Sequence, residues 1–299
     1  MMKPTKTSHT LILISILLIL VGMVARHFVR EANTAKMHTH LEQFDHDAAL
    51  GTFAQTRPKI FQPQEKPYKH AVVLYHGYSG ATSEYKRVAV ALQKAGIMFF
   101  VPRLTGFGLD DFHLMREVKP SDWLRDAIEA YDLLDSLAEK ISIVGQSTGG
   151  TLAALVAMQR PAHHLVLIGP NFFPSPSDTK YKKIFNTPLL GPFLTFSVPV
   201  FAKPVRPGRV MPSDTLDPDE ARKAFSYLTL PIDSLLAQYA LQDLVEIEKA
   251  QYHQMTILYG SQDLTVDNEA TFKLLKEKGI HFKSHSFANS AHNIFQDYD

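Results

Sequence analysis

From residue 70 onward, short apolar runs alternate with longer stretches in which apolar residues recur every three or four positions. The run at 71–75 is apolar throughout, as in a strand buried on both faces of a sheet. This reasoning predicts strands at 71–75, 97–101, 141–144, 165–168, 255–259 and 281–287, and helices at about 83–95, 121–138, 148–160 and 267–278. Strands that alternate with helices predict an α/β fold with a doubly wound, mostly parallel sheet.

The alternation stops between the strand at 165–168 and the strand at 255–259. The roughly eighty residues between them are rich in proline and aromatic residues, and such a connection is too long for a simple loop. We expect an inserted helical lid at about 172–250, with its clearest helices at 217–228 and 232–246. Its apolar content suits a cover over an apolar substrate site, although the same aromatic side chains could serve only to hold the insertion together.

Residues 10–25 form an uncharged, strongly apolar segment. It is slightly shorter than the roughly 17–25 residues that cross a bilayer as a helix. Basic residues flank it on both sides, namely Lys3, Lys6, Arg26 and Arg30. One interpretation is an uncleaved membrane anchor at 1–30, placed in a bacterial inner membrane with its orientation left open by the balanced flanking charges. The other is a cleaved secretory signal, which would leave a secreted or periplasmic protein.

A cleaved signal is the less favoured of the two, because Met23 lies where a signal peptidase prefers a small residue. We therefore expect an anchor at 1–30, a connector at 31–69 and the main domain at 70–299. The connector contains several histidines and aspartates between His38 and Asp47. They could bind a metal, but such a set is more typical of the polar face of a short helix, and we expect no metal site.

Charge and cysteine content narrow the classes of function. The 299 residues include 31 Lys and Arg against 30 Asp and Glu, a net charge of +1, so nothing favours a nucleic-acid partner. The chain has no cysteine, which excludes disulfides, thiolate zinc sites, iron–sulfur clusters and a cysteine nucleophile. Oligomeric state is left open.

The segment Gly145-Gln146-Ser147-Thr148-Gly149 follows a predicted strand and opens a predicted helix. In that context a serine lies on a sharp turn that lifts its hydroxyl clear of the sheet, and glycines two positions to either side allow close backbone approach. The N-terminus of the following helix favours a developing negative charge. We therefore predict that Ser147 is a catalytic nucleophile; the alternative is a tight structural turn with a fortuitous serine.

A serine hydroxyl needs a base, and the base needs an orienting acid. His292 lies in a loop after the last predicted strand, where it can reach Ser147, whereas His281 and His285 lie within the strand pattern. Asp263 lies just beyond the carboxyl end of the strand at 255–259. Asp267 is the alternative acid, but its position is typical of a helix N-cap. The predicted triad is Ser147, Asp263 and His292, in an order that occurs in enzymes of this architecture.

The first strand is followed by His76-Gly77-Tyr78-Ser79-Gly80. Gly77 permits a sharp turn, and the backbone N–H of Tyr78 would pair with that of Thr148 to form an oxyanion hole. His76 is expected to orient this loop and not to act as a second base. Substrate-binding residues are not identified beyond the lid at 172–250.

Together these residues resemble the α/β-hydrolase superfamily, and more narrowly its lysophospholipase, monoacylglycerol lipase and bacterial carboxylesterase group. The resemblance covers about 70–299 and rests on His76-Gly77, Gly145–Gly150, Trp123 with Asp126, Gly260–Asp263 and Ser290–His292. It implies ester hydrolysis through an acyl-enzyme, without metal or organic cofactor. The chain departs from it at Gly106-Phe107-Gly108, where many relatives have Gly-His-Gly, at Thr148, where many have Met, and in lacking a closing helix after His292.

The leading hypothesis is a membrane-anchored serine hydrolase that cleaves a carboxylic ester, namely a lipophilic ester, an acyl glyceride or a lysophospholipid. The same triad could instead serve a thioesterase, an amidase or an acyltransferase. A third interpretation is a non-catalytic, membrane-tethered binding module that retains the fold.

Overall fold

A computed structural model describes residues 6–65 and 67–297 of the chain. The first five residues of the predicted anchor, including Lys3, and the last two of the predicted main domain lie outside this range. Eleven strands are described: β1 (His46–Asp47), β2 (Thr52–Phe53), β3 (Lys59–Phe61), β4 (Ala71–Tyr75), β5 (Met98–Val101), β6 (Ile141–Gln146), β7 (Ala162–Ile168), β8 (Val200–Ala202), β9 (Thr229–Pro231), β10 (Tyr252–Gly260) and β11 (Lys283–Phe287).

Nine α-helices are described in the same part of the chain: α1 (Lys6–Leu41), α2 (Lys86–Lys94), α3 (Pro120–Asp135), α4 (Thr148–Ala157), α5 (Pro176–Phe185), α6 (Leu190–Ser197), α7 (Pro218–Lys223), α8 (Ile232–Gln242) and α9 (Asn268–Glu277). Seven strands form the central sheet in the order β11-β10-β7-β6-β4-β5-β3. All neighbouring pairs are parallel except β3 with β5. The doubly wound, mostly parallel sheet predicted from the alternation is therefore confirmed.

The central strand β4 shows why the sheet is buried on both sides. Successive side chains of a strand point to opposite faces. Val73 and Tyr75 pack into the larger core, while Val72 and Leu74 pack into a second core on the other face. All four are buried. A run without polar residues is what this position requires.

Residues 31–69, expected to form a connector, are partly built into the domain. β3 pairs antiparallel with β5 and extends the central sheet by one edge strand. Phe44 and Phe53 are buried, and their ring centroids lie 5.0 and 5.3 Å from that of Phe225. The central sheet therefore includes a strand from the segment expected to be a connector. A three-residue edge strand is too short to give a readable hydrophobic period.

Helix α1 extends beyond the predicted anchor at 1–30 and ends at Leu41. No proline interrupts it, and the arginines that follow the apolar segment are compatible with a helix. Its last turns enter the core, where Met37 is fully buried. The part from Leu13 to Leu41 is long and apolar enough to cross a membrane, and only 6% of its most apolar window is buried.

The segment at 172–250, called the insertion below, contains four helices and a two-stranded sheet. The helices predicted at 217–228 and 232–246 correspond to the shorter α7 and α8. Helices α5 and α6 were not predicted, because the prolines between and within them obscure the helical period. β8 and β9 pair antiparallel within the insertion.

Candidate active site

Ser147 occupies the sharp turn between β6 and α4. Its φ of 55° and ψ of −119° lie outside the regions that a residue with a side chain normally adopts. The turn is held from several sides, since Ser147 N donates to Ile168 O at 2.9 Å and Ser147 O accepts from Asn171 N at 3.0 Å. A strained residue fixed by its surroundings is common at functional sites.

The glycines that flank Ser147 allow backbone segments to approach each other closely. A Cβ on Gly145 would lie 2.0 Å from Gly149 O. A Cβ on Gly149 would lie 1.9 Å from Tyr75 O. Neither distance is compatible with a side chain, so α4 can lie this close to the sheet only with glycine at both positions.

His292 and Asp263 meet at the carboxyl edge of the sheet. His292 Nδ1 lies 2.8 Å from Asp263 Oδ2, and both side chains are almost fully buried. The carboxylate is also fixed by its own loop, because Oδ1 accepts from the backbone N–H groups of Thr265 at 2.8 Å and Val266 at 3.1 Å. The orientation of the imidazole is thereby set by a carboxylate that has little freedom to move.

The electrostatics of this pair reinforce its geometry. Burial alone would raise the pKa of Asp263, but His292 and the backbone donors hold that pKa below its usual value. Burial alone would lower the pKa of His292, but the Asp263 carboxylate raises it above 6.5. Asp263 therefore makes the imidazole a stronger base.

Ser147 and His292 line the same cavity, of about 430 Å³. His292 Nε2 is buried and has no hydrogen-bond partner among the described residues. The insertion supplies apolar walls to this cavity, including Tyr181, Phe185, Val198, Phe201, Ile232 and Leu235. An imidazole nitrogen left open beside a serine can accept a proton once a substrate is in place.

Gly77 lies beside Ser147, and Tyr78 follows Gly77 in the chain. A Cβ on Gly77 would lie 3.3 Å from Ser147 Cβ, and both Gly77 and Tyr78 line the cavity. Among the described residues the backbone N–H groups of Tyr78 and Thr148 donate no hydrogen bond. Thr148 is the first residue of α4, where an N–H group has no partner within the helix. Neither predicted donor is therefore engaged by another group of the described chain.

The other candidates from the sequence have different positions. Asp267 caps α9 by accepting from Ala270 N at 2.8 Å. His281 and His285 are exposed at the outer edge of the sheet. His76 is fully buried, and its Nε2 accepts from Leu104 N at 3.2 Å. Burial lowers the pKa of His76 to about 4, so it is neutral and holds the loop after β4.

The histidines of the predicted connector are dispersed. His40 Nε2 lies 2.9 Å from Ser226 O, and His46 Nε2 lies 3.2 Å from Asp110 Oδ2. Within the described ranges, no group of three or more histidine, aspartate or glutamate side chains is placed to hold a metal ion.

Sequence reasoning missed Asp214, which ties the insertion to the loops of Asp263 and His292. Asp214 forms a buried ion pair with Arg209 at 2.7 Å. Its Oδ2 accepts from Leu264 N at 2.6 Å, and its backbone O accepts from Asn293 N at 3.1 Å. No local motif marks this role, because Leu264 and Asn293 lie at least 50 positions further along the chain.

Glu84 was also missed. It follows the loop after β4, lines the cavity and accepts from Gly77 N through Oε2 at 2.9 Å. A Cβ on Gly80 would lie 1.5 Å from Glu84 Oε1, so glycine at that position leaves room for the carboxyl group. Burial raises the pKa of Glu84 to about 7. In the sequence, the only indication of a role for Glu84 is that a carboxylate follows Gly77-x-x-Gly80, and this indication is weak.

Comparison with known proteins identifies the family of the chain. A family model described as serine aminopeptidase, S33, matches residues 66–299. A thermostable monoacylglycerol lipase of Bacillus sp. (strain H-257) is 33% identical over 90 residues, which are 30% of this chain and 36% of the lipase. A carboxylesterase of Bacillus subtilis (strain 168) is 27% identical over 112 residues, 36% of this chain and 45% of the esterase. The chain thus matches less than half the length of either relative.

Among solved structures, one reported for the metagenome-derived lipolytic enzymes LipS and LipT superposes with a TM-score of 0.65. The match covers 80% of this chain and 90% of the other, at 18% sequence identity. At that identity the likeness concerns the fold.

Proposed function

The chain belongs to the serine aminopeptidase, S33, family and has the α/β-hydrolase fold, and on this premise we propose that it is a serine hydrolase that cleaves a carboxylic ester. One observation carries the proposal. A serine on a strained turn and a buried imidazole, oriented by a carboxylate at 2.8 Å, open into the same cavity. These are the parts that nucleophilic acyl transfer requires.

In the proposed reaction, Ser147 Oγ attacks the ester carbonyl while His292 Nε2 takes the hydroxyl proton. The negative charge that develops on the carbonyl oxygen is stabilised by the backbone N–H groups of Tyr78 and Thr148. Collapse of this intermediate expels the alcohol, which receives the proton from His292, and leaves an acyl-Ser147 ester. Water, deprotonated by His292, then attacks this ester and releases the carboxylic acid. Asp263 keeps the imidazole in the required tautomer throughout.

The substrate that we propose is a lipophilic ester, such as an acyl glyceride or a lysophospholipid. The aromatic and aliphatic side chains that the insertion places around the cavity suit an acyl chain. Two of the curated relatives are named as a monoacylglycerol lipase and a carboxylesterase, which favours an ester substrate. In this proposal the insertion acts as a lid over Ser147.

A fluorophosphonate probe tests the nucleophile. The wild type should be labelled and S147A should not, whereas S136A, which changes an exposed serine at the end of α3, should be labelled like the wild type. Labelling of S147A to the same extent as the wild type would contradict the assignment.

A substrate panel tests the reaction. p-Nitrophenyl esters of increasing chain length should be hydrolysed by the wild type and not by S147A. The same panel should include thioesters and aminoacyl amides with matched acyl groups. The amides are included because the description of the matching family is serine aminopeptidase. A higher kcat/KM for the amides than for the esters would replace the esterase proposal with an amidase. A lack of turnover of every substrate, together with a lack of labelling, would favour the non-catalytic module.

We further propose that α1 anchors the hydrolase domain to a membrane, and that this domain includes β3. The apolar part of α1 is exposed, and the helix continues into the core without a break. Arg26 Nη1 donates to Phe196 O at 2.9 Å, which joins α1 to α6. Beside this contact, the side chains of Leu189, Leu190 and Phe196 are 91%, 46% and 41% exposed. Apolar residues exposed next to an apolar helix suit the interfacial layer of a bilayer.

Quenching by brominated lipids tests this placement in the full chain reconstituted into vesicles. Trp123 is the sole tryptophan and is fully buried, so it should give an unquenched background. Fluorescence from L189W should be quenched, whereas L133W, at an exposed leucine on α3, should not be. Equal lack of quenching at both positions would contradict a membrane-facing position for Leu189, between α5 and α6. Release of the protein from vesicles after loss of its first residues would favour a cleaved signal.

A further inference from the structure

Lys203, immediately after β8, places an ammonium group at the wall of the cavity that contains Ser147. Its Nζ donates to Ser79 Oγ at 2.7 Å and to Ser226 Oγ at 3.0 Å. Its backbone N–H donates to Leu228 O at 2.8 Å, so the main chain at this residue is fixed by the insertion.

The charge of Lys203 is incompletely compensated. Two hydroxyl acceptors satisfy two of its three N–H groups. Among the described residues no carboxylate forms an ion pair with its Nζ. The nearby Glu84 attracts it electrostatically, but one oxygen of that carboxyl group is engaged by the N–H of Gly77. A partly buried ammonium without a paired anion is unfavourable, and an anionic ligand would relieve that cost.

The ionisation of Lys203 agrees with this description. Burial lowers its pKa to about 8, and attraction by Glu84 offsets part of that effect. The group is therefore still mostly protonated near pH 7, which is the state that binds an anion.

Ser79 brings this ammonium group close to the reaction centre. It lies two residues after Gly77, where an added Cβ would lie 3.3 Å from Ser147 Cβ, so the Ser79 Cα is within roughly 7 Å of the Gly77 Cα. Its φ of 67° is in the left-handed region, although it has a side chain. Tyr227 N donates to Ser79 O at 2.9 Å and so ties this conformation to the insertion. The strained backbone directs a hydroxyl to Lys203 at the edge of the proposed oxyanion loop.

We propose that Lys203, with the hydroxyls of Ser79 and Ser226, binds an anionic oxyacid group, a carboxylate or a phosphate monoester, carried by the ester that Ser147 cleaves. This rests on the proposed ester hydrolysis and narrows its substrate class. The apolar walls bind the hydrocarbon part of the substrate, and the ammonium group selects for a negative charge near the ester bond.

Matched pairs of substrates test this selectivity in the full chain. For phosphate, the pair is a monoacylglycerol and its glycerol 3-phosphate analogue with the same acyl chain. For carboxylate, it is the p-nitrophenyl ester of a short fatty acid and the p-nitrophenyl half-ester of a short dicarboxylic acid of equal length, in which the carboxylate is near the ester bond. In K203M, kcat/KM for the preferred anionic member should fall about 10- to 100-fold, while kcat/KM for its neutral counterpart changes less than about threefold. K223M, which changes an exposed lysine on α7, should behave like the wild type.

Equal losses on the anionic and neutral members of both pairs would overturn the proposal, as would an unchanged preference in K203M. K203Q serves as the second variant if K203M does not fold, as judged by its thermal transition. Binding separates this proposal from that of ester hydrolysis. If the wild type hydrolyses no ester, S147A should still bind the anionic member more tightly than S147A/K203M does, and equal affinities would overturn the role of Lys203.

Discussion

Gln238 Nε2, on α8 of the insertion, donates to Thr148 Oγ1 at 3.0 Å. The same helix contacts the other predicted oxyanion residue, since Tyr78 Oη lies 2.6 Å from Ser234 Oγ. Both contacts involve side chains, whereas the proposed oxyanion donors are backbone N–H groups. Helix α8 therefore supports the positions of the donors and leaves the donors themselves free.

The first prediction concerns this support. Q238L should lower kcat more than it raises KM, because a shifted Thr148 N–H weakens an interaction made mainly in the transition state. The loss of one hydrogen bond, about 1 kcal/mol, corresponds to a roughly threefold to tenfold decrease in kcat/KM. T148V and the double variant Q238L/T148V complete a cycle that isolates the contact. Additive effects in that cycle would mean that Gln238 acts only as a wall of the cavity.

The second prediction concerns Asp263. D263N should fold like the wild type, yet lose about 10⁴-fold in kcat because the amide no longer holds the imidazole in the required tautomer. The carboxylate raises the pKa of His292 above 6.5, so its removal should also move the acid limb of the kcat/KM profile to lower pH. D267N, at the N-cap of α9, is the matched control and should retain the wild-type profile. An unshifted acid limb in D263N would contradict the electrostatic role.

Much of the scaffold around Ser147 could be predicted, because its signals are local. The strand before it, the helix after it and the glycines on either side are adjacent in sequence and each has its own physical signature. The same holds for Asp263 and His292, because loops that follow parallel strands gather at one edge of the sheet. The structure indeed brings these two side chains to 2.8 Å.

The residues that were missed depend on distant partners. Lys203 is one lysine among many in the sequence, and only the folded insertion places it against Ser79, 124 positions away. Asp214 lacks a motif for the same reason. β3 was also missed, because a three-residue edge strand is defined by its pairing with β5 and not by its composition. Tertiary contacts of this kind cannot be read from periodicity.

The third prediction tests the close approach of α4 to the sheet. G149A should prevent folding or destabilise the protein by several kcal/mol, since its Cβ would lie 1.9 Å from Tyr75 O, a backbone atom that cannot move aside. G279A is the control: its φ of 67° makes alanine unfavourable by about 1–2 kcal/mol, but no atom lies within 4 Å of the added Cβ. Urea denaturation of the detergent-solubilised chain measures both. Similar losses for the two variants would contradict the close contact with β4, because Gly149, unlike Gly279, has no positive φ that would make alanine unfavourable.

The last prediction concerns the buried His76 and the partly buried Glu84, whose contributions to stability change in opposite directions with pH. Burial lowers the pKa of His76 from 6.5 to about 4, so the unfolded chain binds more protons there between these values. The contribution of His76 to the free energy of unfolding is complete above pH 6.5 and is lost as pH falls towards 4. Burial raises the pKa of Glu84 from 4.5 to about 7, so the folded chain binds more protons there. The contribution of Glu84 is complete below pH 4.5 and is lost as pH rises towards 7.

Between pH 4.5 and 6.5 the two contributions oppose each other, and substitution of either residue should expose the other. E84Q keeps an acceptor for Gly77 N but cannot titrate, so its stability relative to the wild type should rise with pH, by at most about 1.4 kcal/mol per pH unit. H76N should show the reverse trend, with stability relative to the wild type falling as pH rises. Urea unfolding at four or five pH values measures both slopes. If the free energies of unfolding of the wild type and E84Q change in parallel with pH, Glu84 has the same pKa in the folded and unfolded chain. Glu84 would then make no contribution to the pH dependence of stability.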